Sequence, residues 1–207
     1  MVPTFRKCYE IQDAYNMMSI SKGHSENIKR VASRLVSILN WKGYKMDGEV
    51  MEASALLHDI TKVHQVISNA IDSYDVGTLN KHMNYVPTSF AKIYEQANWM
   101  KKDFKLPDNV EHTESGYHLL KHLGYEEIGD IIRRHNEPLV EISEMGILCY
   151  ADRIVAFDII PLDERFKYIN RKYGDRSELH RSSKELERLL LSTAGITFED
   201  LKRMHHG

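Results

Sequence analysis

The sequence predicts an all-α protein. Apolar residues recur at i, i+3, i+4 and i+7 along most of the 207-residue chain. No stretch shows a convincing strand signal. Glycine, proline and asparagine punctuate the periodic stretches at intervals suited to helix ends. No repeat, low-complexity tract or linker divides the chain, so one domain over residues 1–207 is expected.

Taken in order, Thr4 to Met18 reads as a first helix, with Tyr9, Ala14 and Met17 as buried candidates and Ser21-Lys22-Gly23 as its interruption. A well-patterned helix follows from about His24 to Trp41, on which Ile28, Val31, Ala32, Leu35 and Leu39 share a face. His24 extends that stripe by one turn, and Gly43 ends it. Asp47 is the expected N-cap of a helix from about Gly48 to Thr61, with His58 and Asp59 in its last turn and Lys62 just beyond. Residues 63–107 are broken by Asp72, Asp75, Gly77, Asn80, Asn84 and Pro87, which predicts short helices. Within them, Ser89 to Asp103 reads as one amphipathic helix, with Phe90, Ile93, Tyr94 and Ala97 inward.

Pro107-Asp108-Asn109-Val110-Glu111 marks a restart, with Asp108 as cap and Glu111 completing a capping box. That helix runs to Leu123 and stops at Gly124; His112 lies in its first turn, and His118 and His122 face solvent. Tyr125 to His135 forms the next, where Ile128, Ile131 and Ile132 lead to His135. Ser143 to Phe157 follows, and there Asp152 falls between Leu148 and Val155 on one apolar face. An aspartate is a poor helix-interior residue and is rarely buried without a partner. Pro161 to Tyr173, Ser177 to Ser192 and Thr197 to Met204 complete the chain as structural cover.

Composition narrows the function. A formal net charge of −2 gives no nucleic-acid surface. Cys8 and Cys149 form no paired motif, which argues against a disulfide framework. No apolar run is long enough to span a membrane and no signal-peptide core is evident, so a cytoplasmic location is expected.

The informative feature is a set of polar residues that close apolar faces: His24, His58-Asp59, His112, His135 and Asp152. Each alone has a plain structural explanation. Together they are six imidazole and carboxylate groups expected to point into one helical core. Such donors suit iron, manganese, cobalt, nickel or zinc. Six exceed what one hydrolytic metal with open positions needs, and they suit two metals bridged by a carboxylate.

The order H…HD…H…H…D, with the HD pair inside "LLHDITK" and the last aspartate inside "YADRIV", resembles the HD-domain metal-dependent phosphohydrolases. The resemblance runs from about Gly23 to Tyr173 and is interrupted by residues 63–107. "HTESGYHLLKHLGYEEIGDIIRRHNE" looks like the His-x-x-x-Gly helix and following His helix of the dinuclear branch. "YADRIVAFDIIPLDERFKYINRKYG" is similar to the closing segment of small bacterial HDIG-type proteins. The resemblance implies an HD-domain helical bundle with a catalytic core over about 23–173, a helical insertion at about 63–107, and cover helices over 174–207.

It also implies a site. His24, His58 and Asp152 would bind one metal, His112 and His135 the second, and Asp59 would bridge them. One or two divalent ions are implied, with magnesium a further candidate. Lys62 matches the lysine of the family's HDxGK motif and would meet a substrate phosphate beside a metal-activated hydroxide. Arg133, Arg134 and Arg153 are candidates for further phosphate contacts. Thr61 stands where HDxGK usually has glycine, and Asn136 stands where some relatives have a second histidine. No GYP-type motif follows. These departures count against the cyclic-di-GMP phosphodiesterase branch and leave the pattern closer to enzymes that cleave diadenosine tetraphosphate or simple nucleotides. The expected activity is hydrolysis of a phosphoester or phosphoanhydride of a nucleotide or similar small phosphorylated molecule. Two alternatives stay open: an HD-type di-iron oxygenase, and a non-catalytic module that senses a nucleotide.

Overall fold

Thr4 opens the first helix, its hydroxyl accepting from the Lys7 N–H at 3.3 Å. The computed structural model describes residues 1–82 and 84–206, and among these it contains twelve α-helices and no strand beyond an isolated bridge between Val155 and Ile159. None of these helices is long and apolar enough to cross a membrane. The chain divides into two compact units.

Unit 1 comprises Met1–Ser25 and Leu56–Arg133. It contains α1 (Phe5–Ala14), the start of α2 (Ser19–Trp41), α4 (Lys62–Asp72), α5 (Val76–His82), α6 (Phe90–Asp103), α7 (His112–His122) and α8 (Glu126–Arg133). α1 stops earlier than the sequence predicts. Asn16 takes a left-handed conformation at φ 57°, which short polar side chains tolerate better than most. α2 therefore starts at Ser19 and runs through Gly23, where a break is expected from sequence; nothing crowds Gly23. α4, α5 and α6 realise the short helices expected in residues 63–107. They enclose a small core of Met18, Val63, Ile67 and Ile93, with Ile71, Leu79, Val86 and Phe90 packed on it. Ser89 caps α6 at the Lys92 N–H. α7 packs closely on α8, and Gly116 lets it do so: a Cβ there would come 3.1 Å from Ile132 Cδ1 and 3.5 Å from Thr61 Oγ1.

Unit 2 comprises Glu26–Ala55 and Arg134–Gly207. It contains the rest of α2, most of α3 (Gly48–Leu57), α9 (Glu144–Ile154), α10 (Leu162–Tyr173), α11 (Ser177–Ala194) and α12 (Phe198–His206). Gly43 ends α2 at φ 99°, as expected. Asp47 caps α3 by accepting from the Glu49 and Val50 N–H groups. α9, α10 and α11 pack against one another, and the buried Tyr150 hydroxyl of α9 donates to Glu187 of α11 at 3.0 Å.

Three sequence expectations fail at helix ends. α3 ends at Leu57, so His58 and Asp59 occupy a turn between α3 and α4 rather than a helical last turn. α7 begins at His112 with Glu111 as its N-cap residue and no side-chain cap bond, so Asp108 and Glu111 form no capping box. Likewise α8 ends at Arg133, and His135 lies in the turn beyond it.

Candidate metal centre

The turn His58–Thr61 is the hub of unit 1. It is buried without exception, and it projects His58 and Asp59 from neighbouring positions with 1% and 2% of their surfaces exposed. Its geometry is held from outside the turn. The Gln12 side chain donates to the Leu56 carbonyl at 2.8 Å. Thr61 Oγ1 donates to the His112 carbonyl at 2.6 Å and accepts from Ser115 Oγ at 2.9 Å. Thr61, a departure from the family motif, thus ties the HD turn to the first turn of α7. A glycine there would leave the His112 carbonyl without that donor.

These bonds bring five of the sequence-identified residues together within unit 1. His24 of α2 lies edge-on to His58, with ring centroids 5.5 Å apart and donor atoms within 4.8 Å. His58 Nε2 is 3.5 Å from Asp59 Oδ2, and His112 Nε2 is 3.2 Å from Asp59 Oδ1. The two carboxylate oxygens therefore face two different imidazoles. Lys62 Nζ donates to Asp59 Oδ2 at 2.6 Å while its side chain stays 37% exposed. Asp59 Oδ1 accepts no hydrogen bond among the described residues. Burial, the largest influence on Asp59, would raise its carboxyl; the Lys62 ammonium first, then the His58 and His112 rings, hold it well below the usual carboxylate range. Asp59 is thus an anion in a dry place.

This arrangement fits a divalent cation. Two ligands bonded to one ion at about 2.0–2.2 Å stand about 3–3.5 Å apart, which is the spacing on each side of Asp59. An imidazole nitrogen and a carboxylate oxygen are borderline and hard donors suited to transition metals. Gln65 adds support: its Oε1 lies 3.1 Å from His112 Nδ1.

The other two expected ligands belong to unit 2. Asp152 is half-buried on α9, and His135 is 2% exposed in the turn after α8. Arg153 links their segments. Its Nη2 reaches the His135 carbonyl at 3.4 Å and also donates to the Glu137 carbonyl, while Nη1 donates to Ser183 Oγ at 3.2 Å. Arg153 is 4% exposed. Its guanidinium is committed to these protein acceptors, which corrects the expectation that it meets a substrate phosphate.

The two remaining arginines are exposed. Arg133 makes a two-pronged pair with Glu114 at 2.6 and 3.0 Å and lies over the Tyr117 ring. Arg134 pairs with Glu137 at 2.8 Å. Beside Gln65 and Ser115, a shallow cleft in unit 1 is walled by Ser68 and Asn69 of α4 and Met100 and Lys101 of α6. Sequence reasoning missed Gln65, Ser115 and the positioning role of Arg153. Only Thr61 carried a signal, as an odd residue in a motif.

With this geometry in place, comparison with known proteins identifies the class. The family model described as HD domain matches residues 22–156. That is more than half of the chain, and the chain belongs to the HD-domain family. Proteins of this family bind divalent metals and are typically metal-dependent phosphohydrolases. No curated protein and no solved structure matches the chain.

Proposed function

We propose that the protein is a metal-dependent phosphohydrolase acting on a nucleotide or a similar small phosphorylated molecule. One observation carries this reading: the Asp59 carboxylate turns one oxygen toward His58 and the other toward His112, as a carboxylate shared by two cations must. As the resemblance to the family implies, His24, His58 and Asp152 would hold one ion; Asp59, His112 and His135 would hold the other, with Asp59 common to both. Both sets offer only ring nitrogens and carboxylate oxygens. When bound, the cations would supply Lewis acidity toward water and phosphate oxygens.

The chain's own residues supply the rest. Lys62 is not a ligand, because an ammonium has no lone pair. Its partly exposed charge beside Asp59 makes it the phosphate-binding group, and a compact ammonium suits that role. A phosphate that engages Lys62 would compete with Asp59 Oδ2 for it. Arg133 is the better placed of the arginines for a further contact, being exposed and held by an ion pair that a phosphate can exchange. The cleft beside Gln65 would take the leaving part of the substrate, giving residues 63–107 a part in specificity. A panel of nucleotides, assayed with manganese, iron, cobalt, nickel and magnesium, tests the reading. Metal-dependent release of phosphate or nucleotide product supports it. Oxygen uptake with iron and no hydrolysis on any substrate would replace it with the oxygenase alternative.

A further inference from the structure

We infer that the cleft of unit 1 seats the base of a guanine nucleotide, with Lys101 and Asp108 reading its edge; this rests on the phosphohydrolase reading proposed above.

Lys101 is the unusual group. Its side chain is 19% exposed, yet its ammonium finds little in the protein. Ser68 Oγ accepts from it at 3.4 Å, a long bond. Asp72 Oδ2 stands 3.8 Å away, beyond hydrogen-bond reach. That carboxylate already accepts from the Tyr94 hydroxyl at 2.8 Å and from Ser68 Oγ at 3.3 Å. An ammonium has three donors, so a largely buried one with a single long bond is short of acceptors. Asp108 shows the opposite need. It lines the same cleft, caps no helix, and among the described residues its carboxylate has no hydrogen-bond or ion-pair partner.

The rest of the lining suits a flat ring. Met100 of α6 is apolar, as are Leu106 and Val110 in the segment joining α6 to α7. A planar heterocycle can lay its faces on such surface and turn its polar edge to the few charged groups. That edge must offer acceptors to Lys101 and donors to Asp108. Guanine does both. Its O6 and N7 accept side by side, and its N1–H and 2-amino group donate side by side, matching the two oxygens of a carboxylate. Adenine sets a donor beside N7 and has no pair of adjacent donors.

The cleft also lies at a suitable reach from the proposed phosphate-binding group. Lys62, Gln65 and Asn69 fall on one face of α4, at i, i+3 and i+7. Gln65 and Asn69 line the cleft, and Lys62 at the helix start stands beside Asp59. Two turns separate Lys62 from Asn69, about 10 Å along the axis, comparable to the span of a nucleotide from phosphorus to base edge. An open volume of about 330 Å³ is at the low end for ligand pockets and suits one nucleoside.

The test uses the full chain without metal, titrated with guanosine, inosine and adenosine and followed by amide chemical shifts. Nucleosides carry no phosphate and need no cation, so they report on the cleft alone. Guanosine should move signals of α4 and α6 and bind at least about 10-fold more tightly than adenosine, with inosine between them because it lacks the 2-amino donor. Asp108→Asn and Lys101→Met should each weaken guanosine about 10- to 100-fold. Asp108 is exposed, so its substitution does not endanger the fold. In the manganese-loaded enzyme, kcat/KM should favour guanine over adenine nucleotides, and Asp108→Asn should erase that preference. Equal binding of guanosine and adenosine overturns the inference. So does guanosine binding that Asp108→Asn leaves intact, or no guanosine binding at all. If guanosine binds as expected and no phosphorylated compound is hydrolysed with any metal, the phosphohydrolase reading fails and the base-binding cleft stands.

Discussion

Asp59 in the HD turn and Arg153 on α9 are both buried charges, and they are treated differently. Arg153 directs its guanidinium at the carbonyls of His135 and Glu137 and at the Ser183 hydroxyl. Burial lowers its affinity for its proton, yet its hydrogen-bonding demand is met by protein. Asp59 takes one hydrogen bond from Lys62, and its Oδ1 takes none among the described residues. A buried charge satisfied by protein holds a fold together. A buried charge with lone pairs to spare, ringed by imidazoles, is arranged for something not covalently part of the chain.

The difference predicts opposite losses. Asp59→Ala should abolish metal-dependent hydrolysis, a fall of at least about 1000-fold or roughly 4 kcal/mol in the barrier, while circular dichroism keeps its helical signal. A loss of only a few-fold in kcat is incompatible with a shared ligand. Lys62→Ala should leave metal content normal and lower kcat/KM on the best phosphate substrate by roughly 10- to 1000-fold. Lys62→Arg should recover part of that, because a planar fork does not replace a compact ammonium. Wild-type efficiency in Lys62→Ala would remove the phosphate-binding role.

Arg153→Met should show the reverse pattern. It strands the His135 and Glu137 carbonyls and should lower stability by about 2–4 kcal/mol in urea denaturation. If the variant unfolds at the wild-type midpoint but fails to turn over substrate, Arg153 belongs with the chemistry after all.

A smaller effect separates structural histidines from proposed ligands. Burial pushes the His64 imidazole down to about 4, against a lesser opposing contact with Gln96. The unfolded chain therefore binds a proton at His64 that the folded chain refuses. This contribution is whole above about pH 6.5, and it is lost as pH falls toward 4, by up to about 3 kcal/mol. His64→Gln should flatten the decline of the denaturation midpoint in that window. An unchanged decline would place the acid sensitivity elsewhere.

Much of this was legible in the sequence. The long apolar stripe of Ile28, Val31, Leu35 and Leu39, the helix starts at about Ser89 and Ser143 and the Gly43 and Gly124 stops all sit where sequence places them. These signals are local. The misplaced ends have local signals that mislead. Ala55-Leu56-Leu57 reads as a helix continuing into His58, but tertiary bonds from Gln12 and Thr61 shape a turn instead. Asn16 breaks a helix without glycine or proline. The six candidate ligands were legible because each closes an apolar face, where a polar residue is out of place. Gln65 was not, since a glutamine on a helix is ordinary until its partners, 46 and 47 residues away, are known. Arg153 misled for a related reason: its position beside Asp152 suggested the site, and only packing reveals its commitment to carbonyls.

The central claim is that Asp59 stands between two cations, and metal stoichiometry tests it most directly. Chains loaded with manganese or iron, freed of excess ion and measured by elemental analysis, should approach two metals per chain. His112→Ala should lower the value to about one, and Asp59→Ala should take it lower still. A ceiling of one metal per chain that His112→Ala leaves unchanged would contradict the dinuclear centre.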